Sequence, residues 1–147
     1  MPRRQAFMDT SFVLALENQD DAFHGVARQL AADCSRDNTT LVLLWGIWLE
    51  VLDGFARLSR RPKGIELLRR FYDEQVYHTY RLNKSLFDQA TALFAARLDK
   101  EWGLTDCVSF VLMRQLGISE ALTADQHFIQ AGFRALLLEE SKEYKES

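Results

Sequence analysis

Asp9, Glu50, Asp106 and Asp125 are the residues of this chain whose types and positions could do chemistry together. Asp9 follows Phe7-Met8 and leads into Thr10-Ser11. Asp106 lies in Leu104-Thr105-Asp106-Cys107, Asp125 follows Leu122-Thr123-Ala124, and Glu50 sits in a mostly apolar stretch between Gly46 and Gly54. Asp9, Asp106 and Asp125 each mark a place where an apolar segment gives way to a helix start. In an open parallel sheet such junctions line the crevice beyond the carboxyl ends of the strands, where ligands bind. Acids gathered there repel one another, by roughly 3 kcal/mol for a pair about 5 Å apart at an effective dielectric near 20. They must protonate, splay or hold cations. Hard oxygen donors select Mg²⁺ or Mn²⁺, and no comparable Cys/His cluster competes. The chemistry this implies is metal-assisted hydrolysis of a phosphodiester.

Each acid also has a structural explanation. Carboxylates at helix N-termini cap free N–H groups and favour the helix dipole, which would account for Asp9, Asp106 and Asp125. Glu50 could occupy a solvated helix face. Capping is least sufficient for Glu50, which takes the polar window of an otherwise apolar helix, and for Asp106, which leads into a helix with almost no polar side.

The elements that must position these acids follow from the apolar pattern. Ala6–Met8 reads as a short strand, Ser11–Glu17 as a helix, and Asp20-Asp21 as the opening of a second helix with Phe23, Val26, Ala27 and Leu30 on one face. Leu41–Leu44 reads as a buried strand. Trp45–Leu58 reads as a helix, ended by Arg60-Arg61-Pro62 and followed by a basic amphipathic segment from Lys63 to Tyr72. Val76–Tyr80 has strand composition, and Asn83 can cap a helix over Lys84–Leu98. The helix through Cys107–Leu116 is apolar nearly all round and stops at Gly117. A strand over Ala121–Thr123, a helix over Asp125–Ala131, and a strand over Ala135–Leu138 complete the pattern, with a frayed tail expected from Glu139. Alternating helices and short apolar strands predict an α/β fold with a mainly parallel sheet in a single domain over residues 1–147.

Composition bounds the rest. A chain of 147 residues, 48% hydrophobic and 27% charged, is that of an ordinary soluble globular domain. The net charge of −3 does not advertise nucleic-acid binding, yet Arg57, Arg60, Arg61, Lys63, Arg69 and Arg70 form a candidate basic patch able to track phosphates. Cys34 and Cys107 show no ligand or redox spacing, in keeping with a reducing cytoplasm. No apolar run reaches membrane-spanning length, and Asp9 interrupts the one near Arg3-Arg4. His24, His78 and His127 form no ligand motif; for His127, two residues from Asp125, packing or solvent is the expected place and substrate contact the alternative. Trp45 and Trp48 read as core or interface residues rather than base-stacking platforms.

Asp9-Thr10-Ser11, Asp21-Ala22-Phe23-His24, Glu50-Val51-Leu52, Leu104-Thr105-Asp106-Cys107, and Leu122-Thr123-Ala124-Asp125 running on to Phe128 and Gly132-Phe133 occur in this order along Phe7–Leu138. In that order they resemble the PIN-domain proteins, specifically the VapC-type ribonuclease toxins of bacterial toxin–antitoxin pairs. The resemblance implies a three-layer α/β/α fold around a sheet of four to five short strands. It implies that Asp9, Glu50, Asp106 and Asp125 hold one or two Mg²⁺ or Mn²⁺ ions and cut RNA to leave a 5′-phosphate and a 3′-hydroxyl. Thr10 or Ser11 would add a contact, Thr123 would orient Asp125, and Arg57, Arg60 and Arg61 would meet the RNA backbone. A homodimer is implied, as is an antitoxin laid across the acidic pocket with an arginine reaching for the carboxylates. Leu44-Trp45 and Gly103 stand where the family often carries small hydroxyl residues, which touches substrate contacts rather than the acids. The alternative is a PIN-fold module that binds RNA or protein without cutting.

Overall fold

The computed structural model describes residues 3–73 and 75–146. Five parallel strands form one sheet, β1 (Gln5–Met8), β2 (Thr40–Leu44), β3 (Tyr77–Tyr80), β4 (Glu120–Leu122) and β5 (Arg134–Ala135), in the order β3-β2-β1-β4-β5. Phe7 lies between Val42 of β2 and Ala121 of β4, so β1 is the central strand. Ala6, Phe7 and Met8 are all buried, the continuous apolar pattern of a parallel strand covered on both faces.

Helices cover the sheet to make three layers. In chain order they are α1 (Thr10–Glu17), α2 (His24–Arg36), α3 (Trp45–Asp53), α4 (Arg61–Phe71), α5 (Lys84–Ala96), α6 (Leu104–Leu116), α7 (Gln126–Gln130) and α8 (Leu136–Glu146). α1 packs on α2 and α3, α8 reaches α2, and α5 pairs with α6. Every residue of α6 from Cys107 to Met113 is buried, as its uniformly apolar sequence requires. It ends at Gly117, whose φ of +68° is the left-handed closure that glycine adopts without a Cβ penalty. Asn83 caps α5 by accepting the Leu86 N–H at 2.8 Å. Among the described residues, no helix is long and apolar enough to cross a membrane.

Boundaries differ from the sequence pattern where local signals compete. The helix expected over Trp45–Leu58 ends at Asp53: Gly54 and Phe55 bond back to Val51 and Leu52, tightening the last turn into i→i−3 bonds. Arg61-Pro62 opens α4 rather than closing the helix before it, because proline lacks an N–H that the first turn would leave unpaired anyway. α2 begins at His24, after Asp21 has accepted the Phe23 N–H in a turn. The strand expected over Ala135–Leu138 is two residues, Arg134–Ala135; Leu136 already belongs to α8, which continues through the segment expected to fray. Arg134 braces that start, bonding Glu139 of α8 at 2.7 Å and Glu120 of β4 at 3.1 Å.

Candidate functional site

The chain runs outward from β1 to β2 and β3, then returns to the other side of β1 for β4 and β5. The order therefore reverses between β1 and β4, and their carboxyl ends flank the crevice that such a reversal leaves open. Asp9 directly follows β1, and Thr123 and Asp125 follow β4; the Asp9 N–H bonds Leu122 O at 3.2 Å, continuing the ladder to the edge.

Asp9 is fixed by a relay from the backbone. Thr123 Oγ1 donates to Asp9 Oδ2 at 2.9 Å and Ser11 Oγ donates to the same oxygen at 3.1 Å. Thr123 Oγ1 in turn accepts the Asp125 N–H at 3.0 Å, and Ser11 Oγ accepts the Ala124 N–H at 3.2 Å. With both hydroxyl protons committed to Asp9, the 3.3 Å approach of the two hydroxyls is a packing contact. Burial pushes the Asp9 carboxyl above its ordinary range, and the nearby charge of Asp125 adds to this; the bonds from Thr123, the Thr10 N–H and Ser11 oppose it. Asp9 makes no capping bond to N–H groups further into α1, so capping does not explain it.

Glu50 reaches the same edge through a neighbour of Asp9: buried Thr10 Oγ1 donates to Glu50 Oε2 at 3.0 Å. Asp106 and Asp125 meet through His127. The His127 Nδ1 lies 3.1 Å from Asp106 Oδ2 and 3.4 Å from Asp125 Oδ1. Asp106 Oδ2 also accepts the Gly103 N–H at 3.0 Å, and Asp125 Oδ1 accepts the His127 N–H at 2.8 Å as the N-cap of α7. Both acids are thus helix caps and site members at once. One ligand atom each from Asp106, Asp125 and His127 falls within 4.8 Å of the others, a group that includes neither Asp9 nor Glu50.

No lysine or arginine pairs with Asp9, Glu50, Asp106 or Asp125 among the described residues. Carboxylates at these junctions with no lysine or arginine partner, one of them desolvated, fit a hard divalent cation.

No family model matches the chain. It is 31% identical over 127 residues to the 23S rRNA-specific endonuclease VapC20 of Mycobacterium tuberculosis, in two strains, covering 86% of this chain and 94% of that protein. The crystal structure of M. tuberculosis VapC20, a sarcin–ricin loop cleaving toxin, superposes with a TM-score of 0.75 at 27% identity, covering 87% of this chain and 95% of that one. This chain belongs to the VapC-type PIN-domain ribonucleases.

Within that family frame, the structure corrects several readings of individual residues. His127, which the sequence gave to packing or solvent ahead of substrate contact, stands between Asp106 and Asp125. Its signal was its place two residues after a helix-capping acid, which folds the ring back over the cap. Thr123 bonds the Asp125 backbone N–H rather than its carboxylate, and donates to Asp9. Glu50 lies on an exposed part of α3; Leu49 beside it is 68% exposed, so α3 is less buried than its composition suggested. Trp48 is core and donates to Thr79 Oγ1 at 2.8 Å, whereas Trp45 remains 44% exposed. The basic patch divides: Lys63 and Arg70 hold Glu17 at 3.2 and 3.0 Å, and Arg61 donates to Ala56 O. Arg57 is exposed and makes no side-chain hydrogen bond or ion pair with the described residues.

Proposed function

We propose that this VapC-type ribonuclease is a metal-dependent endonuclease of structured RNA, with Asp9, Glu50, Asp106 and Asp125 as its metal-holding acids. Support for the reading comes from Asp106 and Asp125 meeting at His127, from Asp9 under the nearby charge of Asp125, and from Glu50 held by Thr10, with no lysine or arginine pairing any of the four among the described residues. A divalent cation bound there supplies Lewis acidity, an activated water at neutral pH and charge to offset that building on the phosphate. The chain contributes preorganisation. Thr123 and Ser11 keep one Asp9 oxygen occupied, while the caps at Gly103 and His127 fix Asp106 and Asp125 before any ligand arrives. Thr10, next to Asp9 in sequence, holds Glu50 of α3 by a hydrogen bond. Dipoles already aimed need not reorganise as charge develops, the usual source of the largest catalytic contribution.

By likeness to the M. tuberculosis relative, the substrate is a loop of 23S ribosomal RNA, the sarcin–ricin loop, cut in the cytoplasm. The toxin kinship extends the proposal to an antitoxin partner covering the acidic edge, and to a homodimer. Arg57, Arg60 and Arg61 would meet the RNA backbone, with Arg57 the member free of other bonds. An RNA hairpin carrying that loop tests the reading in the presence of Mn²⁺ or Mg²⁺. Wild-type protein should cleave it, and Asp106→Asn should reduce the rate by at least about 100-fold with the fold retained by circular dichroism. Equal cleavage by the variant, or none by wild type with either metal, rules the reading out.

A further inference from the structure

We propose that His127 is itself a metal ligand, making this centre a mixed nitrogen–oxygen site rather than an all-carboxylate one. The proposal rests on the metal-dependent reading above and concerns the face formed by Asp106, Asp125 and His127. The atom turned toward both acids is Nδ1, at 3.1 Å from Asp106 Oδ2 and 3.4 Å from Asp125 Oδ1. In an octahedral ion with ligands at about 2.1 Å, neighbouring donors stand about 3.0 Å apart. The separations in this protein are therefore close to those between adjacent ligands of one ion, and all three ligand atoms fall within 4.8 Å.

Local structure holds these donors in place. Asp125 caps α7 by accepting the His127 N–H at 2.8 Å, which ties the histidine backbone to the carboxylate its own ring approaches. Asp106 is the third residue of α6 and reaches back to the Gly103 N–H. Two helix starts from distant parts of the sequence thus present oxygen donors to one imidazole. Asp106 Oδ1 and Asp125 Oδ2 have no hydrogen-bond partner among the described residues, so each acid keeps a second oxygen available. Coordination through Nδ1 would use the lone pair of the neutral ring, with its proton on Nε2.

A nitrogen donor changes which cation the site prefers. Imidazole raises affinity for transition ions more than for Mg²⁺, so the centre should favour Mn²⁺ beyond what carboxylates alone provide. His127→Gln should weaken Mn²⁺ binding by about tenfold or more and Mg²⁺ binding by less than about threefold. Loss of affinity alone would also follow if the ring merely oriented Asp106, so the deciding measurement is spectroscopic. Pulsed electron paramagnetic resonance of Mn²⁺ on the purified full chain should show nitrogen-14 coupling from directly bound imidazole. That coupling should vanish in His127→Gln, or in His127→Asn should the glutamine variant fold poorly, at Mn²⁺ concentrations that still fill the site. Mn²⁺ bound to wild type without the coupling, or a coupling that survives both substitutions, overturns the histidine ligand and leaves the acidic site standing. Failure of wild type to bind Mn²⁺ overturns the histidine ligand, and failure to bind either Mn²⁺ or Mg²⁺ overturns both.

Discussion

Asp9 is largely buried, and the cost of desolvating its carboxylate has a consequence for stability. Its carboxyl is raised from an unfolded value near 3.8, first by desolvation, so between that pH and the raised value the folded state binds more protons than the unfolded one. Stability of the metal-free protein should therefore fall as pH rises through that window. Asp9→Asn removes the penalty, and should raise the melting temperature of the metal-free protein at pH 7 by up to about 4 °C while flattening the acid limb of its pH profile. Thermal scans in a chelator, with and without the substitution, check this; a variant less stable than wild type at pH 7 would contradict it. The acid was legible from its place after Phe7-Met8, but its restraints were only partly so. Ser11 is two residues away in sequence, whereas Thr123 arrives from 114 residues along the chain because β4 lies beside β1.

Helix ends were the least legible elements, since glycine, proline and basic residues signal both starts and stops. Pro62 was read as a terminator and is an initiator; the difference lies in whether α4 packs onto what precedes it. It does, through Gly64. A Cβ built there would sit 2.8 Å from the Phe55 Cβ, an atom close to the backbone with little room to yield. Gly64→Ala gains about 1 kcal/mol of helix propensity but loses about 1–3 kcal/mol to overpacking, so urea denaturation should show a net loss of up to about 2 kcal/mol. Unchanged or increased stability would mean that α4 does not seat on that turn. The same helix carries Lys63 and Arg70 to Glu17 of α1, whose side chain is only 9% exposed. Part of the charge run that suggested phosphate contacts therefore fastens α4 to α1, a pairing across 53 residues that no local pattern displays.

For the whole molecule, acids with no lysine or arginine partner among the described residues mean that a divalent cation held there, as proposed, would add to the stability of the folded state. A cation that binds the folded but not the unfolded chain stabilises by about 2.7 kcal/mol at 100 times its dissociation constant. Mn²⁺ at that excess should raise the melting temperature by roughly 6–10 °C, reversibly on adding a chelator, and should do little for a variant carrying Asp9→Asn and Asp106→Asn together. An equal rise in both proteins would place the ion elsewhere. The chain by itself determined the α/β class, the buried α6 and the acids at element junctions, because apolar periodicity and capping chemistry act over a few residues. Tertiary structure alone decided that β4 flanks β1, so that Thr123 reaches Asp9, and that α6 and α7 start side by side, so that His127 lies between Asp106 and Asp125. Those contacts depend on strand order, which is set by packing across the whole sheet and leaves no spacing to read.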